Sequence, residues 1–144
     1  MNIENDTNKP IEILVVEDNP GDVKLFLEKF KEFKVLANYH VVTNGVEALK
    51  FLFKEDKYNN APKPDLLVLD LYLPKKSGLE VLSEMAEDKD LMNVPVVIFT
   101  SSGNRKDILE NCKNIHCIFI NKPENLDDYD VVIKTLEKFW ISIS

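Results

Sequence analysis

Apolar positions along the chain change their period repeatedly. Ile11-Glu12-Ile13-Leu14-Val15-Val16 is a short run rich in β-branched residues, and it predicts a strand. The run breaks at Glu17-Asp18-Asn19-Pro20-Gly21, where the proline suits the first turn of a helix. Val23, Phe26, Leu27, Phe30 and Phe33 follow at helical spacing. Tyr39–Thr43 predicts a second strand, ended by Asn44-Gly45, and Val46, Leu49 and Phe53 form a second helical stripe. Residues 54–64, charged and holding two Asn and two Pro, predict a loop. Asp65–Leu71 is nearly all apolar, which suits a strand covered on both faces. Pro74 and Gly78 bracket a loop before a third helix carrying Leu79, Leu82 and Met85. Val94–Thr100 predicts a fourth strand, Arg105–Asn111 a short helix, His116–Asn121 a fifth strand, and Leu126–Ile143 a final amphipathic helix.

Five strand–helix alternations with buried strands imply an α/β fold: a doubly wound five-stranded parallel sheet with helices on both faces. The polar residues 1–9 predict a flexible N-terminal tail, and 10–144 a single domain. Asp and Glu outnumber Lys and Arg by 25 to 18, a net charge of −7, which argues against a nucleic-acid partner that needs a basic face. No apolar run is long enough to span a membrane, and residues 1–10 lack the pattern of a signal peptide. Cys112 and Cys117 are spaced for neither a redox motif nor a zinc knuckle. These features predict a cytoplasmic protein.

Parallel sheets bind ligands beyond the carboxyl ends of their strands. Those ends offer Glu17 and Asp18 after strand 1, Asp70 at strand 3, Thr100 at strand 4 and Lys122 after strand 5. Clustered carboxylates repel one another unless a cation neutralises them. An all-oxygen donor set fits Mg²⁺, which commonly takes one or two carboxylates together with phosphate oxygens. A carboxylate can act as the nucleophile of phosphoryl transfer, with Lys122 and Mg²⁺ neutralising charge and Thr100 hydrogen-bonding a phosphoryl oxygen. Each residue has a plainer reading alone: Asp70 as a turn former, Glu17-Asp18 as a solvated helix cap. Their conjunction at the ends of separate strands favours chemistry.

ILVVEDN at 13–19, LLVLDLYLPKKSG at 66–78, VVIFTSS at 96–102 and FINKP at 119–123 resemble the receiver domains of two-component response regulators. The resemblance spans residues 10–142 and includes the spacing of Asp70, Thr100 and Lys122. It implies sheet order 2-1-3-4-5 and makes Asp70 the phosphoacceptor. Glu17 and Asp18 become the acid pair holding Mg²⁺, and the backbone carbonyl of Tyr72 and Asp70 complete the metal ligands. Thr100 and Phe119 become the switch pair, Lys122 contacts the phosphoryl group, and the Lys122–Pro123 peptide is expected to be cis. EDNPGD at 17–22, LPKKSG at 73–78 and the long loop before strand 3 look closest to stand-alone receivers found with phytochrome-like kinases.

The expected function is therefore a single-domain response regulator. It is phosphorylated on Asp70 by a sensor histidine kinase and signals by binding an unknown downstream protein. A phosphorelay intermediate, passing phosphate to a histidine phosphotransfer protein, is the alternative. A phosphatase-like enzyme with an Asp nucleophile is disfavoured, because the position two residues after Asp70 is Tyr72 rather than a second Asp. Tyr72 and Ser102 are expected to flank the approach of water, making autodephosphorylation slow. The stripe Val132, Ile133, Leu136, Phe139, Trp140 and Ile143 fits core packing, with a homodimer contact through Trp140 and Ile141 as the other reading.

Overall fold

In the computed structural model, residues 9–101 and 116–143 are described. Five strands, β1 (Ile11–Val16), β2 (Ala37–Val42), β3 (Leu66–Leu69), β4 (Val96–Thr100) and β5 (Cys117–Asn121), form one parallel sheet in the order β2-β1-β3-β4-β5. The described α-helices are α1 (Pro20–Lys29), α2 (Gly45–Leu52), α3 (Gly78–Ala86) and α4 (Tyr129–Ile143).

Side chains along a strand alternate between faces, and the sequence fills both with apolar residues. Leu14, Val16, Leu67, Leu69, Val96 and Ile98 point to one face and pack with Ala48, Leu49 and Leu52 of α2 and Val81, Leu82 and Met85 of α3. Ile13, Val15, Leu66, Val68, Val97 and Phe99 point to the other, where Phe26 of α1 and Val132, Ile133, Leu136 and Phe139 of α4 cover them. Helices therefore lie on both faces, and burial of these two layers is the main favourable contribution to folding.

Local signals set the helix ends. Asn19 caps α1 by accepting from the Asp22 N–H at 3.0 Å, with Pro20 in the first turn. Asn44 caps α2 by accepting from the Glu47 N–H at 2.8 Å. Ser77 and Glu80 form a reciprocal capping box at the start of α3.

Several boundaries differ from the sequence reading. The buried face of α2 is Gly45, Ala48, Leu49, Phe51 and Leu52 rather than Val46, Leu49 and Phe53. The helix stops at Leu52, so Phe53 leaves the stripe and stays partly exposed. Strand β4 starts at Val96 because a 3₁₀ turn, Leu91–Asn93, closes onto Val94. Another 3₁₀ turn, Leu126–Asp128, precedes α4. No peptide bond among the described residues is cis, so Lys122–Pro123 is trans, the isomer an X–Pro bond favours intrinsically by about 0.5–1 kcal/mol. The helix expected at Arg105–Asn111, together with Ser102 and Cys112, lies outside the described residues. On α4, Trp140 packs against the α1–α4 layer, whereas Val131 and Ile141 are exposed.

Candidate functional site

The register of the parallel sheet assembles the site. Val16 stands beside both Val42 and Leu69, Leu69 beside Ile98, and Thr100 beside Asn121. The ladder runs one step further: the Asp70 N–H donates to the Val16 carbonyl at 3.1 Å, and the Lys122 N–H to the Thr100 carbonyl at 2.9 Å. Glu17, Asp70, Thr100 and Lys122 therefore leave the sheet along one edge, and Asp18 and Asp22 join them from the start of α1.

Asp70 lies at the centre, buried to 7% exposure. Its Oδ1 accepts from Thr100 Oγ1 at 3.0 Å and from the Tyr72 N–H at 3.2 Å. Its Oδ2 accepts from Lys122 Nζ at 3.0 Å. The same ammonium reaches Glu17 Oε1 at 2.5 Å and Asp22 Oδ2 at 2.9 Å. The second oxygen of Glu17 accepts from the Asn19 N–H at 3.1 Å. Three carboxylates thus contact one ammonium. Two of them, Glu17 and Asp70, bring oxygens within 4.8 Å of one another and of Asp18.

This crowding perturbs the ionisable groups. Burial, with the negative charge of Asp70 adding to it, pushes the Glu17 carboxyl up to about 7 against the opposing contact with Lys122. Burial alone would lower the Lys122 ammonium, but Glu17, Asp22 and Asp70 together outweigh it and hold the group above its ordinary range. Lys122 is therefore a fixed cation. The three-carboxylate cluster, made only of oxygen donors, fits a hard divalent cation. Such an ion would relieve the repulsion that one ammonium leaves uncompensated.

A parallel β2-β1-β3-β4-β5 sheet with this edge can be compared with known proteins. The sequence model of the response regulator receiver domain matches residues 13–134. This chain belongs to that family. It is 36% identical over 137 residues to response regulator Rcp1 of Synechocystis sp., covering 94% of this chain and 92% of Rcp1. The crystal structure of the phosphorylated cyanobacterial phytochrome response regulator RcpA superposes with a TM-score of 0.83 at 38% identity, covering 94% of this chain and 97% of that one. The Mn²⁺-bound form of Rcp1 gives 0.81 at 36% identity, covering 91% and 94%. Response regulators of this kind are signalling proteins that partner with sensor histidine kinases.

Of the residues named from sequence, the receiver fold brings Glu17, Asp18, Asp70, Thr100 and Lys122 together. Tyr72 adjoins Asp70 through its backbone N–H, while its side chain is largely exposed. Phe119 stands apart on β5, opposite Ile98, half-buried against the α2–α3 layer. Asp22 was not singled out from sequence. An acid in the first turn of a helix is ordinarily read as complementing the helix dipole. The available signal was its position one turn beyond Asp18, on a helix that begins at the strand end.

Proposed function

We propose that Asp70 accepts a phosphoryl group from a phosphohistidine of a sensor histidine kinase, one of the phytochrome-like class. The observation that carries this reading is the Asp70 carboxylate itself. It is buried at a strand end, hydrogen-bonded by Thr100 and Lys122, and flanked by two further acids. An Asp70 oxygen attacks phosphorus and forms an O–P bond. The P–N bond of the donor breaks, its electron pair stays on the imidazole nitrogen, and that nitrogen takes up a proton. Glu17, Asp18, Asp70 and the Tyr72 carbonyl would hold Mg²⁺, and the ion would supply charge neutralisation for the transferring group. Lys122 neutralises a second phosphoryl oxygen, and Thr100 donates its hydroxyl to a third.

Loss of the Thr100–Asp70 bond to a phosphoryl oxygen is the local event of the switch, and Phe119 repacks in response. The signal then passes by phosphorylation-dependent binding to a downstream protein in the cytoplasm. Catalysis is limited to accepting the phosphoryl group and to slow autodephosphorylation. The similarity to a phosphorylated phytochrome response regulator and to an Mn²⁺-bound one supports both the chemistry and the class of kinase.

Incubation with acetyl phosphate and Mg²⁺, read by intact-protein mass spectrometry, tests the assignment. The parent gains one phosphoryl group and Asp70→Asn gains none. Undiminished labelling of the variant overturns the role of Asp70.

A further inference from the structure

Residues 71–77 connect the proposed phosphoacceptor to α3, and the segment is held at several points. Leu71 is buried and Leu73 packs against the α2–α3 layer. The Gly78 N–H donates to the Leu71 carbonyl at 2.9 Å. The Lys76 N–H donates to the Pro74 carbonyl at 2.8 Å, closing a γ-turn around Lys75, whose φ of 68° is in the left-handed region. A lysine persists there only where its surroundings over-determine the backbone.

The surroundings include the first residue of α2. A Cβ added at Gly45 would lie 2.0 Å from the Lys76 carbonyl oxygen, 2.6 Å from its carbonyl carbon and 2.7 Å from its Cβ. Gly45 does not have a positive φ, so the missing side chain provides space rather than conformational freedom. Gly45 is the first residue of the helix, where the interior glycine penalty does not apply, and the close approach of Lys76 accounts for the missing side chain. The start of α2 has little room to retreat. Asn44 is buried and caps the helix, and Ala48, Leu49 and Leu52 are locked into the core. α3 is anchored as well, through the buried Val81, Leu82 and Met85, so the displacement falls on the segment between the two helices, where Tyr72 and Lys75 are exposed.

We infer that Gly45 is a positioning residue for the phosphoacceptor site: by seating the Lys76 backbone against α2, it fixes the segment whose Tyr72 N–H holds the Asp70 carboxylate. The inference rests on the reading of Asp70 given above. Gly45→Ala displaces the segment and with it the Tyr72 backbone.

Direct Mn²⁺ titration by calorimetry tests it. Gly45→Ala is expected to bind Mn²⁺ roughly tenfold more weakly than the parent, at the lower end of what supporting partners of metal ligands contribute. The Mg²⁺ concentration giving half-maximal labelling by acetyl phosphate rises in parallel, and the Tyr72 amide resonance shifts. Leu52→Val, which trims the core face of α2 at the end opposite Gly45, leaves the affinity unchanged. Should Gly45→Ala fail to fold, Lys76→Gly and Lys76→Ala decide. Both lose the side-chain pair with Glu84, but only the glycine frees the backbone at the contact, and only it weakens Mn²⁺ binding. Parent-like affinity in Gly45→Ala, or indistinguishable Lys76 variants, overturns the inference. Absence of Asp70 labelling in the parent would instead overturn the phosphoacceptor reading, and the Mn²⁺ comparison would still judge Gly45.

Discussion

A single ammonium, that of Lys122, contacts Glu17, Asp22 and Asp70 together. Two of those acids also belong to the cluster that fits a divalent cation, so lysine and metal draw on the same carboxylates. Unit charges about 4 Å apart interact by about 1 to 4 kcal/mol at effective dielectric constants from water down to a protein surface. Removing Lys122 therefore strengthens cation binding. Lys122→Ala is expected to bind Mn²⁺ at least several-fold more tightly, read by calorimetry, while labelling by acetyl phosphate slows because one phosphoryl oxygen loses its counter-charge. Weaker Mn²⁺ binding in this variant would show that lysine organises the acids rather than competing for them. Tyr72 is proposed to govern a later step. Its side chain follows Asp70 by two residues and is neither an acid nor an amide that would orient water, so Tyr72→Asn is expected to lose phosphate several-fold faster. That change corresponds to only ~1 kcal/mol in the barrier. Phosphate loss no faster than the parent's, at saturating Mg²⁺, would remove Tyr72 as the shield.

A polar cluster ties the strand pair β1–β2. The Glu12 carboxylate meets His40 Nε2 at 2.6 Å and accepts from Asn38 Nδ2 at 3.1 Å. The hydrogen bond to His40, aided by Asn38 and opposed by burial, holds the Glu12 carboxyl below its ordinary value of 4.5. A depressed carboxylate stabilises the fold above its unfolded-state pKa, and that contribution is lost as pH falls through the folded-state value. Glu12→Gln is therefore expected to be less stable than the parent at pH 6, with the gap closing below about pH 4. Urea unfolding at both pH values checks this, and a gap that widens in acid would contradict it. At the start of α3, Ser77→Ala breaks the capping box and is expected to cost ~1 kcal/mol, measured in the same way. The strands were legible in the sequence because period-two burial on both faces leaves short, unbroken apolar runs. Their order was legible only through resemblance, since alternation fixes neighbours in the chain and not in the sheet. The buried face of α2 was not legible, because three apolar residues at helical spacing do not reveal where a helix stops. Glu17, Asp18, Asp70, Thr100 and Lys122 could be named because strand ends in a parallel sheet converge. Asp22 and the Gly45–Lys76 contact depend on tertiary approach, which no local pattern encodes.

For the molecule as a whole, the site is a property of the folded state alone. Its acids come from β1, α1 and the end of β3, and its cation from the end of β5. A ligand that binds only this assembly raises stability by mass action. At about 100 times its dissociation constant, Mg²⁺ is expected to add ~2.7 kcal/mol to the unfolding free energy. Asp18→Ala is expected to lose most of that gain, whereas Glu55→Ala and Asp56→Ala, in the loop between α2 and β3, keep it. Equal gains in all four proteins would place the cation elsewhere. The most direct test of the central claim maps the phosphorylated atom on the parent chain. An acyl phosphate is reduced by borohydride to an alcohol, so an aspartyl phosphate leaves homoserine at its position. Peptide sequencing after acetyl phosphate treatment and reduction is expected to find homoserine at position 70 and aspartate at positions 18 and 22. Homoserine at 18 or 22, or at no position in protein that has gained a phosphoryl group, would contradict Asp70 as the acceptor.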